Sequence, residues 1–350
     1  MRNHELYMNR CLELALLGSG YVSPNPLVGA VIVCDDKIIG EGWHQKIGSA
    51  HAEVNAINDV KDKHLLPLST LYVNLEPCAH TGKTPPCTHL IIESKIPRVV
   101  VAISDPNPLV AGKGIQLLQE AGVEVIVGVL EKEATDLNKR FLCGIQKKRP
   151  YVILKWAQTQ NGFLSPDASQ MSKEQFEEER HITGLIVQKL VHKWRTQEDA
   201  IMVGTQTAIT DNPALNARAW KGRAPSRIVL DRQLRLPSTL KILDGTQVTY
   251  ILNASKNEQQ GNNHFIQVDF EGNWFLQGLE ILHKQGIQCI VVEGGSKLLH
   301  HILAIQLWDE AQVFYSPKHI FTGVPAPRIN GQLHDTFDLD GMRLNLYLNQ

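Results

Sequence analysis

His51-Ala52-Glu53, followed by Glu76-Pro77-Cys78-Ala79-His80-Thr81-Gly82-Lys83-Thr84-Pro85-Pro86-Cys87, is the part of the chain on which its reading turns. Zinc prefers imidazole and thiolate donors, and a catalytic zinc centre takes three protein ligands and keeps a fourth position for water. His51, Cys78 and Cys87 supply that set. The metal lowers the pKa of its water toward ~7, so a nucleophile exists at neutral pH. Glu53 lies two residues from His51, where it can reach the water without being a ligand. Both cysteines follow prolines at expected helix starts, where the helix dipole favours thiolate.

Around these residues, short apolar runs alternate with helical patterns. Tyr7, Cys11, Leu14 and Leu17 recur at helical spacing over residues 5–17. Val28 to Cys34 is a β-branched run; after the turn Asp35-Asp36, Lys37 to Trp43 reads as its return strand. A helix is expected over 51–58, strands over 70–75 and 99–103, a helix over 114–121 closed by Gly122, a strand over 123–127 and one longer helix over 131–146. This alternation implies a sheet covered by helices, here a three-layer α/β/α domain over residues 1–146. Gln146-Lys147-Lys148-Arg149-Pro150 is polar and ends in proline, and is read as the domain boundary.

From residue 150 the pattern restarts as a second α/β domain running to 350. Strands are expected over 151–157, 200–203, 227–231, 248–252, 287–292 and 311–315, and helices over 184–196, 276–285 and from Ser296. The polar, Asn/Gln-rich segment 253–273 reads as a surface excursion. Val291-Val292-Glu293-Gly294-Gly295-Ser296 is a strand meeting a helix through two glycines, an arrangement that lets a phosphate approach backbone N–H groups at a helix start. No Gly-x-Gly-x-x-Gly motif follows a strand, which argues against a Rossmann cofactor site.

Composition narrows the function classes. A net charge of −1 gives no global field for nucleic acid or an anionic membrane, and an aromatic content of 6% is poor in stacking platforms. No apolar run approaches the length of a membrane span, and the polar Met1 to Arg10 lacks the apolar core of a signal peptide. A cytoplasmic location is therefore expected, with reduced cysteines. Cys11, Cys34, Cys143 and Cys289 lie in apolar segments and read as small buried hydrophobes.

His-x-Glu followed by Pro-Cys and a second Cys is the signature of zinc deaminases acting on bases, in which the glutamate moves protons between the water and the departing amine. Those acting on nucleic acid usually have two residues between the cysteines. Here eight intervene and bring His80 and Lys83 beside the metal, which suits a phosphorylated small substrate. With Pro24-Asn25-Pro26-Leu27-Val28-Gly29-Ala30-Val31 and Asp105-Pro106-Asn107-Pro108, the pattern resembles the bifunctional deaminase/reductase family of riboflavin biosynthesis along nearly the whole chain.

The resemblance implies a cytidine-deaminase-like N-terminal domain and a dihydrofolate-reductase-like C-terminal domain. It implies hydrolysis of the 2-amino group of a diaminopyrimidinone carrying a ribosylamino 5′-phosphate, then NADPH-dependent reduction of the ribose to a ribityl chain. One zinc per chain and NADPH are the implied cofactors, and a homo-oligomer that binds neither nucleic acid nor membrane is expected. The family's deaminase substrate positions fall on Asn25, His44, His80, Lys83, Asp105 and Asn107. On the reductase, Ala157, Thr207, Asp211, Gly294, Gly295 and Ser296 fall on the cofactor side, and Arg195, Leu215, Arg218 and Glu293 on the substrate side. Arg195 and Arg218 offer planar forks suited to phosphate. One segment departs from the family: its Ser-x-Trp-Ile-Thr is Glu179-Arg180-His181-Ile182-Thr183 here, after the charged stretch Met171 to Glu178. Competing readings are a deaminase whose second domain only binds ligand or regulates, and a nucleic-acid base editor with an appended domain.

Overall fold

The computed structural model describes residues 3–79, 85–106 and 111–349. The chain divides into two compact units, Met1–Lys148 and Arg149–Gln350.

The first unit runs α1 (His4–Leu16), β1 (Gly29–Cys34), β2 (Lys37–Trp43), α2 (Ala52–Asp59), β3 (Thr70–Leu75), α3 (Cys87–Glu93), β4 (Arg98–Ile103), α4 (Lys113–Glu120), β5 (Glu124–Val127), α5 (Glu131–Leu137) and α6 (Lys139–Lys147). The sheet order is β2-β1-β3-β4-β5. β1 is antiparallel to both neighbours, and β3, β4 and β5 are parallel. Every residue of β1 and β3 is buried, as expected of strands covered on both faces. Tyr7, Met8, Cys11 and Leu14 of α1 pack on one face with Ala134 of α5. Ala52, Ala56 and Ile57 of α2, Ile91 of α3 and Leu118 of α4 pack on the other. The approach is close enough to demand glycine: a Cβ at Gly29 would lie 2.1 Å from the Cys11 carbonyl of α1, and one at Gly42 2.3 Å from the Ala56 nitrogen of α2.

Two local expectations are corrected here. The single helix over 131–146 is two helices broken at Asn138. Asn138 is buried, and its side chain accepts from Leu27 N (2.9 Å) and donates to Leu27 O (3.0 Å). A side-chain amide that clamps a distant backbone costs the helix its continuity. Cys87 does open a helix, but Cys78 lies in an extended segment after β3 and has no helix of its own.

The second unit runs β6 (Tyr151–Thr159), β7 (Phe163–Pro166), α7 (Lys173–Glu179), α8 (Leu185–Gln197), β8 (Ala200–Gly204), α9 (Thr205–Asp211), β9 (Ser226–Leu230), β10 (Thr249–Asn253), β11 (Glu258–Gln260), β12 (Asn263–Gln267), α10 (Trp274–Lys284), β13 (Cys289–Val292), α11 (Ser296–Ala304), β14 (Glu310–Ser316), β15 (Gly323–Pro325), β16 (Gln332–Leu339) and β17 (Met342–Leu348). The main sheet has the order β11-β12-β10-β9-β8-β13-β6-β14-β17-β16, and β7 pairs with β15. Strands from β12 through β14 are parallel; β17 and β16 close one edge and β11 the other, each antiparallel. One face carries α10 and α11 through Phe275, Leu279, Leu299 and Ile302. The opposite face carries Ala208 of α9, and Val187 and Val191 of α8.

The excursion expected over 253–273 holds structure: Asn263–Gln267 extends the sheet in parallel register with β10. Its exposed polar residues masked the strand pattern. The charged stretch 171–179 is also ordered into α7, started by a capping box in which Ser172 and Gln175 bond each other's backbone.

Candidate active sites

The deaminase-side residues converge beyond the C-terminal end of β3, the central strand of the first sheet. His51 is the N-cap of α2, so its ring projects from the start of that helix. Its Nδ1 lies 3.3 Å from Cys87 Sγ and 3.6 Å from Cys78 Sγ, and Cys87 N donates to Cys78 Sγ at 3.3 Å. Tetrahedral zinc with Zn–S of ~2.3 Å and Zn–N of ~2.05 Å requires S···N separations of about 3.6 Å. The donor set fits the ion in type and spacing. Among the described residues it is the one His/Cys/Asp/Glu cluster with ligand atoms this close, all within 4.8 Å of one another.

The two cysteines and His51 are electrostatically coupled. The hydrogen bond from Cys87, followed by His51, draws the Cys78 thiol down to about 4, while Cys87 as the donor is driven up. Cys78 also raises His51. Glu53, in the first turn of α2, is buried, and burial pushes its carboxyl up to about 7.

His44 packs edge-on against His51, with ring centroids 5.7 Å apart. Its Nδ1 donates to Ala50 O (3.1 Å), which leaves Nε2 to accept from the Asn25 amide (3.0 Å). Burial lowers the His44 pKa, so the neutral ring assumed in this tautomer is favoured. Two of the substrate-side positions are thereby joined. Asp105 is anchored through its backbone, its N–H donating to Glu76 Oε2 at 2.9 Å. His80, Lys83 and Asn107 lie outside the described residues. Cys11, Cys34, Cys143 and Cys289 are buried and outside the metal cluster.

On the reductase side, the turn after β13 leads through Gly294 and Gly295, joined by a cis peptide, into α11 at Ser296. Gly204 N donates to Gly294 O at 3.0 Å, which places the start of α9 beside this turn. A Cβ at Gly295 would stand 2.6 Å from Thr207 Oγ1, so these two cofactor-side positions touch. Ser296 Oγ donates to Pro325 O (3.2 Å). Ala157 lies on β6, in register with Phe314 of β14. Asp211 closes α9 and pairs with Arg180 (2.6 Å), which comes from the segment that departs from the family pattern.

Arg195, Asp211, Leu215, Arg218 and Lys241 line one cavity of about 590 Å³. Arg218 is exposed and donates to Asn216 Oδ1 at 3.4 Å. Arg195 is committed: Nε and Nη2 grip Glu293 at 3.0 and 2.6 Å, and Nη1 donates to Asn216 O at 3.1 Å. Burial would raise the Glu293 carboxyl, but Arg195 and then Lys155 hold it down at about 2. Lys155, on β6, is in turn lowered by burial.

Comparison with known proteins decides the family. Residues 1–103 match the cytidine and deoxycytidylate deaminase zinc-binding region, and residues 150–340 match the RibD C-terminal domain. The riboflavin biosynthesis protein RibD of Aquifex aeolicus is 40% identical over 326 residues, covering 91% of this chain and 88% of its own. The RibD protein of Escherichia coli is 35% identical, covering 90% and 88%. The chain belongs to the RibD family. Among solved structures, the diaminohydroxyphosphoribosylaminopyrimidine deaminase/5-amino-6-(5-phosphoribosylamino)uracil reductase of Thermotoga maritima is 35% identical with a TM-score of 0.88, covering 99% of both chains. RibD of Acinetobacter baumannii is 34% identical with a TM-score of 0.87 and the same coverage. As a RibD protein the chain is a bifunctional deaminase and reductase of riboflavin biosynthesis, with an N-terminal cytidine-deaminase-like domain and a C-terminal reductase domain. The family resemblance, the fold class and the paired activities expected from the sequence hold.

Sequence reasoning missed three polar residues that adjoin the candidate site residues in the two units. Lys155 sits two positions before Ala157; a lysine inside an otherwise apolar strand was its only signal. Asn138 and the fully buried Asn74 both hold Leu27, with Asn74 Oδ1 also accepting from Gly29 N, and so fix the segment that carries Asn25. Nothing in a single sequence distinguishes such asparagines from turn residues. No helix among the described residues is long and apolar enough to cross a membrane.

Proposed function

We propose that residues 1–146 deaminate 2,5-diamino-6-ribosylamino-4(3H)-pyrimidinone 5′-phosphate, and that residues 150–350 use NADPH to reduce the product to 5-amino-6-(5-phosphoribitylamino)uracil. The observation that carries this reading is the His51, Cys78 and Cys87 triad at zinc-ligand separations with the buried Glu53 beside it. Zinc held by these three residues supplies the Lewis acidity that makes water nucleophilic at neutral pH. Glu53 would take a proton from the attacking water and pass it to the departing amine nitrogen. Burial, which favours the protonated form of this carboxyl, suits it to holding the proton between the two transfers. Asn25 and His44 hold the substrate through the hydrogen-bonded pair described above, with Asp105, His80, Lys83 and Asn107 completing its contacts.

In the second domain, NADPH supplies the hydride. Thr207, Gly294, Gly295 and Ser296 form its phosphate cradle, with Ala157 and Asp211 alongside. The glycines allow close approach of an anion to backbone N–H groups. Arg218 meets the substrate phosphate together with Leu215. Arg195 holds Glu293 as a carboxylate facing the substrate, and Lys155 shares its field. A cytoplasmic homo-oligomer completes the reading.

The test is purified protein given the diaminopyrimidinone phosphate with and without NADPH, followed by mass spectrometry. Without NADPH the amine-to-carbonyl exchange should appear alone; with it, two further hydrogens. Accumulation of only the deaminated compound with NADPH present would favour a second domain that binds ligand or regulates.

A further inference from the structure

We propose that Glu76 is a positioning residue of the deaminase site, its carboxylate fixing Asp105 relative to the metal ligand Cys78. The inference rests on the deaminase reading above. Glu76 follows the last residue of β3 and is buried, although it carries a charge at the end of an apolar strand. Four backbone N–H groups converge on it. Oε2 accepts from Asp105 N (2.9 Å) and Gly112 N (3.1 Å), and Oε1 accepts from Gly114 N (2.8 Å) and Ile115 N (3.2 Å).

Gly114 and Ile115 belong to the first turn of α4, where unpaired N–H groups and the helix dipole both favour an anion. The other oxygen holds the segment that begins at Asp105. One carboxylate therefore ties both ends of the connection between β4 and α4 to a point two residues from Cys78. The packing is tight there: a Cβ at Gly114 would stand 2.1 Å from the Pro77 carbonyl. Charge-assisted hydrogen bonds are about twice as strong as neutral ones, so this clamp outweighs an ordinary loop contact. A carboxylate is also the one side chain of this length that offers two acceptor oxygens to four donors.

The test is Glu76→Gln in the full chain, assayed for both activities and for zinc. Glutamine keeps one acceptor and turns an NH₂ toward two N–H donors, so half of the clamp is lost. The deaminase KM should rise about tenfold or more, the equivalent of roughly one charge-assisted hydrogen bond. The change in kcat should be smaller. Zinc should stay at one per chain, and reduction of the already deaminated substrate should be unchanged. Glu76→Asp keeps both oxygens on a shorter stem and should fall between parent and Glu76→Gln; if Glu76→Gln does not fold, the KM criterion is read on Glu76→Asp. An unchanged KM in the zinc-loaded variant overturns the proposal. So does a joint fall of zinc content and kcat at constant KM, the mark of a residue that only supports the fold. A parent protein that does not deaminate refutes the deaminase reading itself, and this proposal with it.

Discussion

Arg195→Ala tests the electrostatic design of the reductase unit. The side chains of Arg195 and Glu293 are 14% and 10% exposed, so their bidentate pair is little screened by solvent. Truncating one member of a buried pair leaves the other charge unpaired, at a typical cost of about 3–5 kcal/mol. Lys155 still faces Glu293, which places the expected loss near the lower end, about 3 kcal/mol. For a unit of this size each kcal/mol lowers Tm by about 2–4 °C, so calorimetry should show the second domain melting roughly 6–12 °C earlier. The sign of the pH effect follows from Glu293. Its folded pKa is depressed to about 2, so its contribution is present above the unfolded value near ~4.3 and lost as pH falls through the folded one. In Arg195→Ala the folded value rises, and the difference from parent should shrink below pH ~4. Reductase kcat/KM should fall by about one to two orders of magnitude, because Glu293 is no longer held in place. Arg195→Met combined with Glu293→Gln removes the stranded carboxylate but leaves Lys155 without its counter-charge; it should recover part of the Tm and none of the activity. An Arg195→Ala protein with the parental Tm at neutral pH would refute this reasoning.

Three further outcomes are expected. Cys87→Ser should lose tight zinc by elemental analysis, whereas serine at Cys11, Cys34, Cys143 or Cys289 should leave one zinc per folded chain. Glu53→Gln keeps size and shape but cannot relay a proton; deamination should fall by at least ~10²-fold while zinc content and reduction of the deaminated substrate persist, as separate assays of the two steps will check. Asn138→Ala removes both side-chain bonds to Leu27 and should destabilise the first unit by about 1–3 kcal/mol in denaturant unfolding, with Asn74 still holding the Leu27 carbonyl.

Some of this protein is settled by local chemistry that a sequence displays. His51, Glu53, Cys78 and Cys87 are residue types whose conjunction has few uses besides a zinc centre, so spacing alone raised the site. The buried strands 29–34 and 70–75 read correctly because strands covered on both faces are mostly apolar, with Asn74 the fully buried polar exception. Tertiary structure decided the rest, through polar groups whose partners are remote in sequence. Asn138 breaks a helix to reach Leu27, 111 residues away. Arg195, which from sequence offered its fork to a phosphate, is engaged by Glu293, 98 residues away. Glu76 collects donors from two segments at once. Such residues carry no periodic or motif signal. A buried charge or amide is tolerated only where folding brings its partners, and folding alone determines which partners those are.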